Sequence, residues 1–169
     1  YLMDRGLSVQ VCGWVLATIG LFNIVGSLAS GWLGTRMPKR YLLAILYFIR
    51  AAAIAAFIMV PLSVTSALLF GMAMGLSWLS TVPPTSGLVA LMFGTRWLAM
   101  LFGFAFFSHQ VGGFLGVWLG GLAYEMTGSY DLVWILSIAF GIASAIINLP
   151  IEEKPVVRTT ANAVAAGGM

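Results

Sequence analysis

Charge is scarce in this sequence: eight basic and five acidic residues make up 8% of 169 positions. Soluble domains carry about 25% charged residues, so this chain lacks the means to cover a water-facing surface. That shortage excludes a soluble enzyme, a nucleic-acid binder and a disordered chain. Cysteine is nearly absent as well, with Cys12 alone, which excludes an intramolecular disulfide framework and a thiolate metal site. One histidine, His109, cannot build a catalytic zinc centre with one cysteine. No G-x-x-x-x-G-K-[ST] loop occurs to cradle a nucleotide phosphate, so no metal and no cofactor are expected. A Ser/His/acid constellation is excluded too, because Glu125 and Asp131 lie about half a membrane from His109 along the helix. No basic segment with a small-residue cleavage site opens the chain, so no signal peptide is expected.

What the chain has is apolar length. Hydrophobic residues make up 61% of it, and its mean hydropathy is +1.03. A bilayer core takes about 20 apolar residues per helix. The stretches between charges predict an all-α polytopic bundle of about five spans: 11–34, 41–60, 66–92, 97–123 and 131–150. Residues 1–10 form a segment outside the membrane, and 151–169 a polar, Ala/Gly-rich tail expected to be disordered in the cytoplasm.

The few charges set an orientation. Arg36, Lys39 and Arg40 follow the first span, Arg96 the third, and Lys154 and Arg158 the last. All fall on one side, which the positive-inside rule places in the cytoplasm. The N-terminus is then outside and the C-terminus inside a cell (inner) membrane. Trp14, Tyr124, Tyr130 and Trp134 fall near one boundary and Trp32, Tyr41 and Trp97 near the other, the aromatic-belt pattern. Five spans with an outside start, in a chain beginning at Tyr1, lead to the expectation that further helices precede it.

Polar residues inside the spans are the candidates for chemistry. Asn23 sits midway along the first span and shares a face with Ser27 and Ser30. It either bonds a neighbouring helix or walls a cavity. His109 lies about 18 Å from the start of the fourth span at 1.5 Å per residue, near the midplane where transporters bind solutes. Gln110 is beside it, and Gly112, Gly116 and Gly120 recur at the four-residue spacing that lets helices approach in lipid. His109 shares a face with Gly113, Gly116 and Gly120, which predicts that it points into protein. It is either a solute or proton partner or a structural hydrogen-bonding group. In the third span, Pro83 and Pro84 remove two backbone donors and predict a helix break, with Trp78 a candidate to line the cavity. Arg50 is the basic residue deep in a span, about 14 Å from Tyr41 along the helix. An intramembrane charge needs a partner. None of the carboxylates lies at that depth, so carbonyls, snorkelling, an anion, or a partner in absent helices are the alternatives.

The joints carry a resemblance. Gly31, Leu33, Arg36, Lys39 and Arg40 in GSLASGWLGTRMPKR resemble the cytoplasmic loop signature of the major facilitator superfamily, G-x-L-A-D-R-x-G-R-[KR]. Thr35 stands where that pattern has aspartate and Pro38 where it has glycine. The stretch from Ser86 to Trp134, with its FGTR joint, Gly-rich helix and E-x-T-G-S-Y turn, resembles the bacterial monocarboxylate-transporter-like branch. The resemblance implies a partial major-facilitator fold holding helices eight to twelve of twelve. It also implies a small-molecule solute, an organic anion such as a monocarboxylate, with a bilayer and an N-terminal half as partners and no nucleic acid. By that resemblance the eighth and eleventh helices line the central cavity, which brings forward Asn23 and His109. The alternative is a membrane fragment or assembly subunit without transport of its own.

Overall fold

The computed structural model describes residues 1–156. Among them the helices are, in order, α1 (Val9–Leu33), α2 (Lys39–Met59), α3 (Val64–Trp78), α4 (Val82–Phe93), α5 (Leu98–Thr127) and α6 (Asp131–Asn148). Short 3-10 turns at Leu79–Thr81 and Thr95–Trp97 join α3 to α4 and lead into α5. α3 and α4 form one interrupted span, so five helical runs are long and apolar enough to cross a membrane. In lipid every backbone polar group must find a partner inside the protein, which is why apolar sequence of this length becomes helix.

Local chemistry ends the helices. The Ser8 side chain accepts the Val11 N–H at 3.3 Å and starts α1. Ser63 and Ser66 form a reciprocal capping box at the start of α3. Gly94 (φ +80°) stops α4 and Gly128 (φ +67°) stops α5, both in the left-handed region that favours glycine. Ser129 Oγ then accepts the Asp131 N–H at 3.1 Å to begin α6.

α1 packs on α3, and α2 packs on both α6 and α3. The α1–α3 contact is close because small residues line it. A Cβ on Gly75 would lie 2.5 Å from the Ile19 carbonyl oxygen, and one on Gly26 2.4 Å from that of Leu76. Gly71 and Gly75 meet Val15, Ile19 and Phe22 of α1, and Ala67, four residues before Gly71 on the same face, is also buried. At the α2–α6 seam a Cβ on Gly141 would come within 3.0 Å of Ala51 Cβ.

At the end bearing Arg36, Lys39, Arg40 and Arg96, the chain after α6 turns back over the helix ends. The Arg40 N–H donates to Glu153 Oε1 at 2.7 Å, and Arg40 Nη1 donates to the Ile151 carbonyl at 3.1 Å. The Val156 N–H donates to the Met92 carbonyl at 2.8 Å. Residues 151–156, expected to open a disordered tail, are therefore tied to α2 and α4. A carboxylate in the first turn of α2 also suits the positive end of that helix. The rest of the expected tail, 157–169 with Arg158, lies outside the described residues. At the far end Tyr1, Phe57, Phe70 and Trp134 form a ring cluster.

Candidate functional site

The interrupted third span is where polar groups converge. A break was expected at Pro83 and Pro84, but it falls earlier, at Leu79–Thr81. The prolines sit in the first turn of α4, where a helix has no use for their missing N–H groups. Their effect is felt upstream, because the carbonyls of Leu79 and Ser80 lose the donors a continuous helix would supply.

The backbone groups freed at the break find partners on neighbouring helices. Val82 N–H donates to the Leu79 carbonyl. The Ser30 hydroxyl on α1 donates to the Ser80 carbonyl. Asn23 Oδ1, also on α1, accepts the Leu79 N–H at 3.2 Å. Arg50 on α2 donates through Nη2 to the carbonyls of Trp78, at 3.1 Å, and Ser77. Hydroxyls bond back along their own helix: Ser77 to Ala73 at 3.0 Å and Thr85 to Thr81 at 2.6 Å. Such back-bonding is how Ser and Thr satisfy an irregular helix in lipid.

Arg50 thus has carbonyl partners at the C-terminal end of α3, the negative end of that helix dipole. Its guanidinium also lies 5.4 Å from the Tyr47 ring centroid. Of the sequence candidates, Asn23 and Trp78 meet at this break. The Asn23 carbonyl is engaged with the fold, while the Trp78 side chain is 48% exposed beside the break.

His109 and Gln110 stand elsewhere, on α5. None of the residues of α5 is buried, and 103–119 are all exposed. The expectation that His109 points into protein is not met among the described residues. Its ring neighbour is Phe106 on its own helix, centroids 6.0 Å apart. A Cβ added at Gly112, Gly113 or Gly116 would meet nothing within 4 Å, and only Gly120 faces a neighbour, Val133 of α6. The reason is topological: α5 touches α4 and the Thr95–Trp97 turn near one end and α6 near the other, and no described helix runs along its middle.

The basic joint is a set of local contacts. Arg36 lies over the Trp32 ring at 3.7 Å, and its N–H donates to the Leu33 carbonyl at 2.9 Å. A Cβ on Gly31 would be 4.0 Å from Pro83 Cβ, so this glycine admits the start of α4. The Lys39 stem lies over Gly87. The sequence reading missed the Ala67/Gly71/Gly75 seam and the Glu153 cap. The first was visible as a four-residue spacing of small residues. The second had no local signal, since it joins positions 113 residues apart.

Comparison with known proteins follows the same lines. The Major Facilitator Superfamily matches residues 1–166. An uncharacterized MFS-type transporter, YcxA of Bacillus subtilis (strain 168), is 33% identical over 156 residues, covering 89% of this chain and 38% of that protein. Monocarboxylate transporter 13 of Rattus norvegicus is 27% identical over 154 residues, covering 89% of this chain and 36% of that protein. Monocarboxylate transporter 13 of Bos taurus is 27% identical over 153 residues, with the same coverage. The chain spans somewhat over a third of the length of these curated relatives. No solved structure matches it.

Proposed function

The chain belongs to the major facilitator superfamily, and on that premise we propose that it supplies helices eight to twelve of a secondary transporter. The solute is a small organic anion such as a monocarboxylate, carried by alternating access across the cell (inner) membrane. The N-terminus lies outside and the basic joints lie in the cytoplasm.

One observation carries the reading: the bare middle of α5, with His109 and Gln110 at mid-depth, in a bundle whose other spans pack on one another. A polar, small-residue face uncovered at that depth fits a helix that lines a solute path closed by further helices. The name monocarboxylate transporter on two relatives supports the anion class. In this reading His109 hydrogen-bonds the solute or carries the coupled proton, Gln110 and the Asn23 amide add donors, and Trp78 bounds the path. Rocking about the midplane site exposes it to each side in turn.

A second reading follows from the same uncovered face: the chain alone is a membrane subunit that carries nothing until another half joins it. Uptake of labelled lactate into proteoliposomes tests both. The chain joined to the helices of its N-terminal half should take up lactate, and the chain alone should not. Uptake by neither, or uptake of sugars in preference to carboxylates, sinks the anion reading. Full uptake by the 169-residue chain alone sinks the need for a second half.

A further inference from the structure

Arg50 has no part in the solute path described above, yet it is a charge placed at mid-depth in a span. We propose that Arg50 is a positioning residue for transport: from α2 it holds the C-terminal end of α3 and so sets where Trp78 stands. The proposal rests on the transport reading.

In an uninterrupted helix the Ser77 and Trp78 carbonyls would accept the N–H groups of Thr81 and Val82. Val82 N–H is spent on Leu79 and the Thr81 hydroxyl reaches the Trp78 carbonyl at 3.3 Å, so it is the Ser77 carbonyl, last of the regular helix, that needs a donor from outside. Ser77 and Ser80 are each 1% exposed, so water cannot serve there. Asn23 and Ser30 supply one bond each to the neighbouring groups. Arg50 supplies two to adjacent carbonyls from one nitrogen, and its positive charge faces the negative end of the helix.

No ion pair among the described residues involves Arg50, so its charge is balanced by carbonyl dipoles. That ties the charge to the break itself. Trp78 is the residue whose carbonyl Arg50 holds and whose ring stands exposed. A displacement of the α3 end reaches the solute path first through Trp78. Arg50 touches no solute in this scheme; it acts through the backbone of the break.

Lactate uptake by the complete protein tests this, with Arg50→Lys, Arg50→Gln, Pro83→Ala with Pro84→Ala, and their combination with Arg50→Gln. Arg50→Gln should raise KM about tenfold while Vmax per folded transporter changes less than about twofold, and Arg50→Lys should fall between. Replacing both prolines restores donors to the break, so the Arg50→Gln penalty should shrink in the combined variant. An unchanged KM in folded Arg50→Gln overturns the proposal. So does a loss confined to Vmax, or a penalty the same size with and without the prolines. If Arg50→Gln does not fold, Arg50→Lys and the combined variant decide in the same way.

A second arm is independent of transport. With 5-fluorotryptophan in nanodiscs and the Trp78 resonance assigned through Trp78→Phe, Arg50→Lys should shift that fluorine signal more than those of the other five tryptophans of this chain. An unmoved Trp78 signal overturns the positioning role even if the protein transports. A moved signal in a protein that takes up no lactate supports the positioning of Trp78 and leaves the transport reading as the one that failed.

Discussion

The seam between α1 and α3 and the middle of α5 are built from the same material and end up opposite in kind. Both carry small residues every four positions: Ala67, Gly71 and Gly75 on α3, and Gly112, Gly116 and Gly120 on α5. On α3 an added Cβ at Gly75 would collide with the Ile19 backbone, whereas at Gly112 and Gly116 it would meet nothing. The polar residues divide in the same way. Asn23, Ser30 and Arg50 are bonded to the interrupted span, while His109 and Gln110 stand on a bare helix. Small-residue spacing says that a helix is able to come close; which helix does so depends on the topology. A polar side chain that the fold has already engaged is a weak candidate for a solute, and one the fold leaves open is a stronger one.

The sharpest way to break this comparison is a matched pair of glycine substitutions. Gly75→Leu must separate α1 from α3, because the obstacle is backbone rather than a flexible side chain. Overpacking of this kind costs about 1–3 kcal/mol or more, and thermal unfolding of the detergent-solubilised protein should show it as the largest loss in the set. Gly112→Leu in the 169-residue chain should leave the unfolding temperature almost unchanged. With the N-terminal half present, Gly112→Leu should impair uptake if another helix lies along that face. Equal destabilisation by the two substitutions in the isolated chain would erase the distinction between the regions.

A smaller effect, but a sharper one, separates the polar residues. His109→Ala should lower lactate uptake by the complete protein about tenfold, the size of one lost hydrogen bond near 1.4 kcal/mol, with no change in thermal stability. Ser30→Ala should do the reverse. It leaves the buried Ser80 carbonyl without its donor and should cost about 1 kcal/mol of stability, with uptake per folded molecule little changed. Interchanged outcomes would mean that the break, not α5, contacts the solute.

The all-helical membrane fold was legible from composition and from the joints, because charge is costly in lipid and three of the four joints carry it: Arg36 to Arg40, Arg96, and Glu125 with Asp131. Periodicity also points to Asn23 and Ser30, and depth in a span points to Arg50; carbonyls and a neighbouring helix are among the partners expected, but the meeting of all three at one place is not. Their shared role depends on the backbone of a different span, 27 to 56 residues away. The break lies upstream of the prolines for a related reason. Proline is well tolerated in the first turn of a helix, so Pro83 and Pro84 open α4 and the irregular turn precedes them. A face rich in glycine predicts packing around His109, but the spacing of residues within α5 holds no information about its neighbours, and among the described residues that face is bare.

The smallest effect concerns the far end, where the N-terminal segment is joined to the turn before α6. Tyr130 Oη donates to Asp4 Oδ2 at 2.8 Å. That hydrogen bond, made by the protonated phenol, pushes the Tyr130 pKa above the ordinary tyrosine value, with the Asp4 charge and the stacked Tyr124 acting in the same direction. Because the folded value is raised, the contact contributes at all pH values below the ordinary phenol range and is lost as pH climbs through the raised one. An ultraviolet titration, with Tyr130 assigned by difference against Tyr130→Phe, should show Asp4→Asn lowering this group toward the ordinary value. Since Tyr130 is no more than half-buried, stability near neutral pH should change little in either variant. A Tyr130 titration unmoved by Asp4→Asn would mean that the N-terminal segment does not rest on this turn, and that the far end is held by the ring cluster of Tyr1, Phe57, Phe70 and Trp134 alone.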